Sequence, residues 1–138
     1  MSLAEGPRRQ RGLLDTSVVI DLERMPAERL PLEAAVSAIT LAELAAGPHA
    51  TMDHRERARR QDRLQRVEAT FEPIAFDADA ARAYGRVVAT AGASGRTTRR
   101  RAVDLMIAAT AAAAGMPLYT RNPDDVAGLE GIVEVVTV

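Results

Sequence analysis

Short apolar runs alternate with segments of helical periodicity along most of this chain. The segments that we predict to be strands are Gly12 to Asp15, Ala35 to Ile39, Pro117 to Thr120 and Ile132 to Val136, and Phe71 to Phe76 is predicted to be a short strand or a connector. Helices are predicted between them, at 16–23, 41–46, 53–69, 77–91 and 104–114. Strands that alternate with helices favour a parallel sheet covered by helices. The sequence therefore predicts an α/β fold around a central, mostly parallel sheet.

The 138 residues are enough for one domain with a real hydrophobic core. We predict a flexible N-terminal arm at residues 1–11 and a single domain at residues 12–138. The first ten residues contain no apolar stretch of the kind found in secretory signals. The longest largely apolar run, Leu105 to Leu118, is too short to span a bilayer. We therefore expect a soluble protein that works in the cytoplasm.

Two missing residue types exclude several kinds of chemistry. Cysteine is absent, which excludes disulfides, thiol nucleophiles and cysteine-ligated zinc, and is compatible with a reducing cytoplasm. All 18 basic residues are arginine, so phosphate-binding loops and Schiff-base sites that need a lysine are excluded as well. The net charge of −1 gives no overall preference for a polyanion. A basic surface on this protein would have to be local.

Acidic residues stand at or near the points where predicted strands give way to helices. They are Asp15, Glu43, Asp104 and Asp125. The carboxyl ends of parallel strands meet at one edge of the sheet, where binding sites form. Carboxylates that converge there repel each other unless a hard cation neutralises them, and oxygen ligands suit Mg²⁺ or Mn²⁺. The arrangement points to metal-dependent chemistry on phosphates.

Each acid also has a purely structural explanation. Asp15 could cap the following helix, and Thr40 with Glu43 matches a capping box. Asp104 in a first helical turn would interact favourably with the helix dipole, and the segment 122–125 is a turn signal. Taken singly, the acids favour these explanations. Taken together they favour a metal site, because an unpaired carboxylate at the edge of a core is costly.

Four segments of the chain carry a resemblance to a known family. They are Leu14-Asp15-Thr16-Ser17 with Asp21 one turn later, Thr40-Leu41-Ala42-Glu43-Leu44, Asp104-Leu105-Met106-Ile107-Ala108-Ala109-Thr110-Ala111, and Thr120-Arg121-Asn122 with an acid shortly after. In this order and spacing the chain resembles the PIN-domain ribonucleases, specifically the VapC-like toxins of bacterial type II toxin–antitoxin systems. The likeness runs from about Gly12 to Val138. It implies a three-layer sandwich in which helices flank the central sheet.

The resemblance also implies roles for the acids. Asp15, Glu43 and Asp104 would hold Mg²⁺ or Mn²⁺, and Asp125 would be the fourth acid, although the adjacent Asp124 is an alternative that the sequence leaves open. The hydroxyls of Thr16 and Thr120 could orient ligands or water, and Asn122 could hold the loop that carries the fourth acid. We expect Asp21 to act only locally.

A cluster of arginines precedes Asp104 and could hold the RNA backbone near the cut. Its members are Arg96, Arg99, Arg100 and Arg101, and Arg121 is similarly placed next to the last acidic segment. The alternative for the cluster is an ordinary solvated loop. Aromatic residues make up only 3% of the chain, which favours recognition of RNA shape and backbone over stacking on bases.

The family resemblance implies an endoribonuclease that hydrolyses RNA with metal-activated water and leaves a 5′-phosphate and a 3′-hydroxyl. It further implies a structured RNA target such as tRNA, a cognate VapB-like antitoxin and a homodimer. A candidate docking surface for the antitoxin surrounds Val18, Val19, Leu22 and Leu44, although core packing explains at least half of these. His49 and His54 are expected to face solvent. Two rival functions remain, a metal-dependent DNA nuclease and a non-catalytic PIN-like binding module.

Overall fold

The computed structural model describes residues 8–91 and 99–138, with only the backbone at Arg99. Its strands are β1 (Arg11–Leu14), β2 (Glu33–Val36), β3 (Leu118–Thr120) and β4 (Val135–Thr137). Its α-helices are α1 (Thr16–Ile20), α2 (Ala38–Ala46), α3 (His54–Thr70), α4 (Ala78–Ala91) and α5 (Arg99–Ala114). Short 3₁₀ turns lie at Leu22–Arg24, Ala27–Arg29, Gly47–Ala50 and Pro123–Val126.

All the described strand pairs are parallel, in the order β2-β1-β3-β4. Leu13 aligns with Ala35 on one side and with Leu118 on the other, so β1 and β3 are the two central strands. The predicted α/β architecture with a mostly parallel sheet is confirmed. The segment Phe71 to Phe76, predicted to be a short strand or a connector, is a connector with a single bridge between Ser37 and Ile74.

Neighbouring residues of the central strands point to opposite faces of the sheet. Leu13 and Leu118 belong to a core cluster formed with α4 and α5. Leu14 and Tyr119 belong to a second cluster formed with α1, α2 and α3. This alternation follows from the two-residue period of a strand. Helices therefore cover both faces, and the predicted three-layer sandwich is confirmed.

Two helices begin earlier than the sequence predicts. The strand predicted at Ala35 to Ile39 ends at Val36, and α2 starts at Ala38 behind the N-cap Ser37. Helix α5 starts at Arg99, five residues before the predicted start at Asp104. Both differences change how the acids on these helices are explained.

The N-terminal arm predicted at residues 1–11 lies partly outside the described residues, which begin at Arg8. Within it, Arg8 donates hydrogen bonds to the carbonyl oxygens of Leu30 and Pro31, and Arg9 pairs with Glu134. Arg11 is already part of β1. The first strand thus begins one residue before Gly12. None of the helices in the described ranges combines the length and apolar character that a membrane span needs.

Candidate active site

A cleft of about 800 Å³ opens at the carboxyl ends of β1 and β3. The chain leaves β1 toward β2 on one side of the sheet, whereas β3 and β4 lie on the other, so β1 and β3 flank the point where strand order reverses. Ligands of parallel α/β folds bind at such a point. The carboxylates that line the cleft are Asp15, Asp21, Glu43, Asp104 and Asp125.

Asp15 follows β1 directly and is the N-cap of α1. Its Oδ1 accepts hydrogen bonds from the Val18 amide at 3.1 Å and from the Ser17 hydroxyl at 2.5 Å. The capping explanation is therefore correct for this residue, and it does not exclude a second role. Oδ2 accepts no hydrogen bond from any residue that the structure describes.

Glu43 is not part of a capping box. The N-cap of α2 is Ser37, whose hydroxyl accepts a hydrogen bond from the Thr40 amide at 3.0 Å. Glu43 lies in the second turn, where its carboxylate cannot reach an unsatisfied amide at the helix start. Instead its Oε1 accepts a hydrogen bond of 2.5 Å from the Thr16 hydroxyl. The capping-box explanation of Glu43 is therefore wrong. The Glu43 carboxylate is instead held at the cleft by the Thr16 hydroxyl.

The helix-dipole explanation of Asp104 also fails, because α5 begins at Arg99 and has no acidic residue in its first turn. Asp104 is half-buried in the second turn. Its pKa is raised from 3.8 to about 6, first by burial and then by the charges of Asp125, Glu43 and Asp15, in that order, against an opposing effect of Arg100. The four predicted acids are therefore close enough to interact electrostatically.

The structure separates the two neighbouring candidates for the fourth acid. Both lie in the 3₁₀ turn Pro123–Val126 that follows β3. Asp125 is half-buried and lines the cleft, whereas Asp124 is exposed and does not. Of the two, Asp125 is also the one whose charge raises the pKa of Asp104.

Polar residues behind the acids hold the loops together. Besides its bond to Glu43, the Thr16 hydroxyl lies 3.1 Å from that of Thr40. Thr120 is completely buried, and its hydroxyl accepts a hydrogen bond from the Asn122 amide at 3.0 Å. Asn122 lines the cleft and is the N-cap of the turn Pro123–Val126, without a capping bond from its side chain.

Ser17 is a residue of the site that the sequence did not single out. Its hydroxyl donates to Asp15 and accepts from the Arg121 amide at 3.1 Å, so it joins the loop after β3 to the start of α1. The Arg121 guanidinium in turn pairs with Asp21 at the mouth of the cleft. A serine two positions after an acid at a helix start was the available signal, since hydroxyls in this position bond the capping side chain or nearby backbone.

The predicted RNA-binding arginines fall in different places. Arg100 is exposed and lines the cleft, and Arg121 lines it while paired with Asp21. The half-buried Arg101 donates from Nη1 to the carbonyl oxygen of Asp125 at 2.7 Å. Arg96 and the side chain of Arg99 lie outside the described residues. Of the predicted arginines whose side chains the structure describes, Arg100 and Arg121 therefore line the cleft and Arg101 does not.

The chemistry of the lining fits a hard divalent cation, because every candidate ligand is a carboxylate oxygen. In the described ranges, no three acidic side chains are already arranged as a complete metal site. Like charges favour conformations that keep carboxylates apart when no cation neutralises them. A bound cation would favour the rotamers that bring them together.

The candidate docking surface is mostly core. Val18, Val19 and Leu44 are buried in the cluster between the sheet and the first three helices, and Leu22 packs against it. The adjacent Ile20 is instead 44% exposed and lines the cleft. His49 and His54 are exposed, as predicted, and neither lines the cleft.

Known proteins are similar to this chain over most of its length. A family model, the PIN domain, matches residues 12–128. Ribonuclease VapC5 of Mycobacterium tuberculosis is 39% identical over 127 residues, which cover 90% of this chain and 91% of that protein. The crystal structure of VapBC-5 from the same organism, a member of the VapBC family of toxin–antitoxin systems, superposes with a TM-score of 0.81 at 38% identity, covering 94% of this chain and 99% of that one. FitAcB from Neisseria gonorrhoeae gives a TM-score of 0.69 at 29% identity, with 91% and 96% coverage.

Proposed function

The chain belongs to the PIN-domain family and, within it, to the VapC ribonucleases, and from this premise we propose that it is a metal-dependent endoribonuclease that acts as the toxin of a toxin–antitoxin pair. The ribonuclease activity is that of the 39% identical relative, carried over to this chain. The cation is proposed to be Mg²⁺ or Mn²⁺.

One observation carries the proposal. Four carboxylates from separate segments of the chain line a single cleft, and burial together with the other three raises the pKa of Asp104 to about 6. A folded protein that holds mutually repelling carboxylates at the edge of its core gains a favourable interaction when a cation binds there. We assign the ligands as Asp15, Glu43, Asp104 and Asp125.

When bound, Mg²⁺ or Mn²⁺ lowers the pKa of a coordinated water and neutralises negative charge on the attacked phosphate. The protein itself supplies the positions of the ligands. Ser17 fixes the Asp15 carboxylate by bonding Oδ1, and Thr16 fixes Glu43 by bonding Oε1. Arg100 lies on the cleft wall, where its guanidinium can pair with the phosphate backbone of the substrate.

The substrate is proposed to be a structured RNA such as tRNA. Among the described residues that line the cleft none is aromatic, so no side chain there offers a surface on which bases could stack. The available contacts are the guanidinium groups of Arg100 and Arg121, which suit phosphates. Recognition would then depend on RNA shape and backbone geometry.

We further propose a VapB-like antitoxin as the partner, because the structural relative VapBC-5 is a member of a family of toxin–antitoxin systems. The open, acidic cleft with the exposed Ile20 on its wall is the surface that such a partner would have to cover to block the substrate. A homodimer and a cytoplasmic location remain predictions of the family resemblance.

The decisive experiment is cleavage of total cellular RNA by the purified, antitoxin-free protein. Reactions contain Mg²⁺, Mn²⁺ or EDTA, and the Asp104→Asn variant is measured in parallel. Discrete fragments that require both the metal and Asp104 would support the proposal and identify the target. If folded wild-type protein cuts equally well in EDTA, or if the Asp104→Asn variant cuts as well as the wild type, the metal assignment is wrong.

A further inference from the structure

Arg101 lies in the first turn of α5, on the same helix as Asp104 and three residues before it. Its side chain is only half exposed, and it donates a hydrogen bond from Nη1 to the carbonyl oxygen of Asp125 at 2.7 Å. It therefore connects the helix that carries one proposed ligand to the turn that carries another. Residues three apart on a helix share a face, so Arg101 approaches this turn from the side of Asp104.

The turn at Pro123–Val126 needs such a connection. It is held internally by short-range hydrogen bonds, including one from the Asp125 amide to the Asn122 carbonyl at 3.0 Å, and Val126 anchors its end in the core. Asp125 and Asp104 line the same cleft and interact electrostatically, and two carboxylates in one cleft repel each other. Without a bound cation, this repulsion favours movement of the turn away from α5. A guanidinium that donates to the Asp125 backbone opposes that movement.

We propose that Arg101 is a positioning residue that holds Asp125 at the metal site, not a contact for the RNA backbone. The inference rests on the proposed function, because it takes Asp125 as a ligand of the cation. Arg101 acts through the backbone of Asp125, so its loss leaves both carboxylates in place and changes only how well they are arranged. Such supporting residues typically contribute tenfold or more to metal affinity.

The neighbouring Arg100 provides the matched control. It is one residue away on the same helix turn, but it is exposed on the cleft wall and is suited to contact phosphates. Replacement of each arginine by methionine removes the guanidinium and keeps much of the packing of the aliphatic stem. Arg101→Gln retains a side-chain N–H donor without the charge and serves as a conservative second variant.

The test is Mn²⁺ binding by calorimetry to the full-length, antitoxin-free protein. We expect Arg101→Met to weaken Mn²⁺ binding about tenfold, Arg101→Gln to weaken it less, and Arg100→Met not to weaken it. In a double-mutant cycle, Arg101→Met should cause no further loss in an Asp125→Asn background, because its effect passes through Asp125. RNA affinity measured in EDTA should fall for Arg100→Met and not for Arg101→Met.

A second readout needs no metal. Hydrogen exchange at the amides of Asp125 and Ala127 should be faster in Arg101→Met than in the wild type or in Arg100→Met. Unchanged Mn²⁺ affinity in Arg101→Met, or an equal loss in both backgrounds of the cycle, would overturn the inference. Faster exchange without any change in Mn²⁺ affinity would overturn it too, since Arg101 would then be structural only. If Asp104→Asn and Asp125→Asn both bind Mn²⁺ like the wild type, the metal site is wrong, and the proposed function fails with it. If these two variants lose Mn²⁺ binding and Arg101→Met does not, only the role of Arg101 is wrong.

Discussion

The hydroxyl of Thr16 donates a 2.5 Å hydrogen bond to Oε1 of Glu43 and thereby joins the first turn of α1 to the second turn of α2. The same hydroxyl lies 3.1 Å from that of Thr40, which receives a further hydrogen bond from Ser37 at 3.3 Å. A continuous row of hydroxyl groups therefore leads from the buried start of α2 to the carboxylate at the cleft. Glu43 is an exposed residue, and this row is what restricts its side chain.

Thr16→Val should lower the catalytic efficiency of RNA cleavage by about tenfold or more. Valine has nearly the shape of threonine but no donor, so Glu43 loses its fixed orientation while the start of α1 keeps its packing. The measurement is kcat/KM with Mg²⁺ on a labelled RNA, together with Mn²⁺ affinity. Thr16→Ser restores the hydroxyl and should retain most of the activity. Full activity in Thr16→Val would contradict the argument, and a loss confined to Thr16→Ser would mean that the methyl group, not the hydrogen bond, matters.

Asp124→Asn and Asp125→Asn form a matched pair that tests the assignment of the fourth acid. Asp125 is half-buried in the cleft and Asp124 is exposed outside it, so only Asp125→Asn should impair cleavage and Mn²⁺ binding, by at least about tenfold. Asp124→Asn should stay within about twofold of the wild type, as surface substitutions commonly do. Initial cleavage rates at equal protein concentration decide between them, and the reverse pattern would identify Asp124 as the ligand.

Ser37→Ala should destabilise the protein by about 1 to 2 kcal/mol, because it removes an N-cap that is completely buried. Urea denaturation measures the loss. The Ser37→Ala substitution should also reduce RNA cleavage, since Ser37 supports the row of hydroxyl groups that ends at Glu43. The control is Asp53→Ala, which removes the N-cap of α3 outside the cleft. Asp53→Ala should lose stability and keep its cleavage activity. A similar fall in cleavage activity in both variants would contradict the argument.

The sequence predicted the fold and the position of the acids because both depend on local patterns. Short apolar runs and Gly115, which takes the left-handed conformation after α5, are visible without tertiary contacts. The family resemblance added the expectation of a three-layer sandwich and of a shared metal-binding role for the acids. What the sequence misplaced was the start of α2 and of α5, where Ser37 and Arg99 extend the helices beyond the predicted limits.

The roles of Ser17 and Arg101 could not be predicted from local patterns. Ser17 bonds Arg121, and Arg101 bonds Asp125, so each contact joins residues far apart in the sequence. An arginine-rich stretch gives no local indication of which member faces solvent and which turns back onto the protein. The tertiary packing of α5 against the turn after β3 decides this, and it separates Arg100 from Arg101.

Asp104→Asn should stabilise the metal-free protein at neutral pH. The pKa of Asp104 is raised from 3.8 to about 6, mainly by burial and then by the neighbouring carboxylates. The folded state therefore holds more protons than the unfolded state between these values, and the unfolding free energy contributed by this group rises as the pH falls through that range. Above about pH 6 the ionised group is destabilising, and below about pH 4 its effect disappears.

The expected gain for Asp104→Asn in EDTA is on the order of 1 to 2 kcal/mol at pH 7.5, since each unit of pKa shift corresponds to about 1.4 kcal/mol and a half-exposed carboxylate is partly screened. Urea denaturation of both proteins from about pH 4 to 8 measures the difference, which should shrink toward zero at the acidic end. Addition of Mg²⁺ at pH 7.5 should reverse the order, because the wild type gains binding free energy and the variant loses a ligand. A difference that is independent of pH would show that Asp104 is not perturbed. A variant that Mg²⁺ stabilises as strongly as the wild type would remove Asp104 from the metal site.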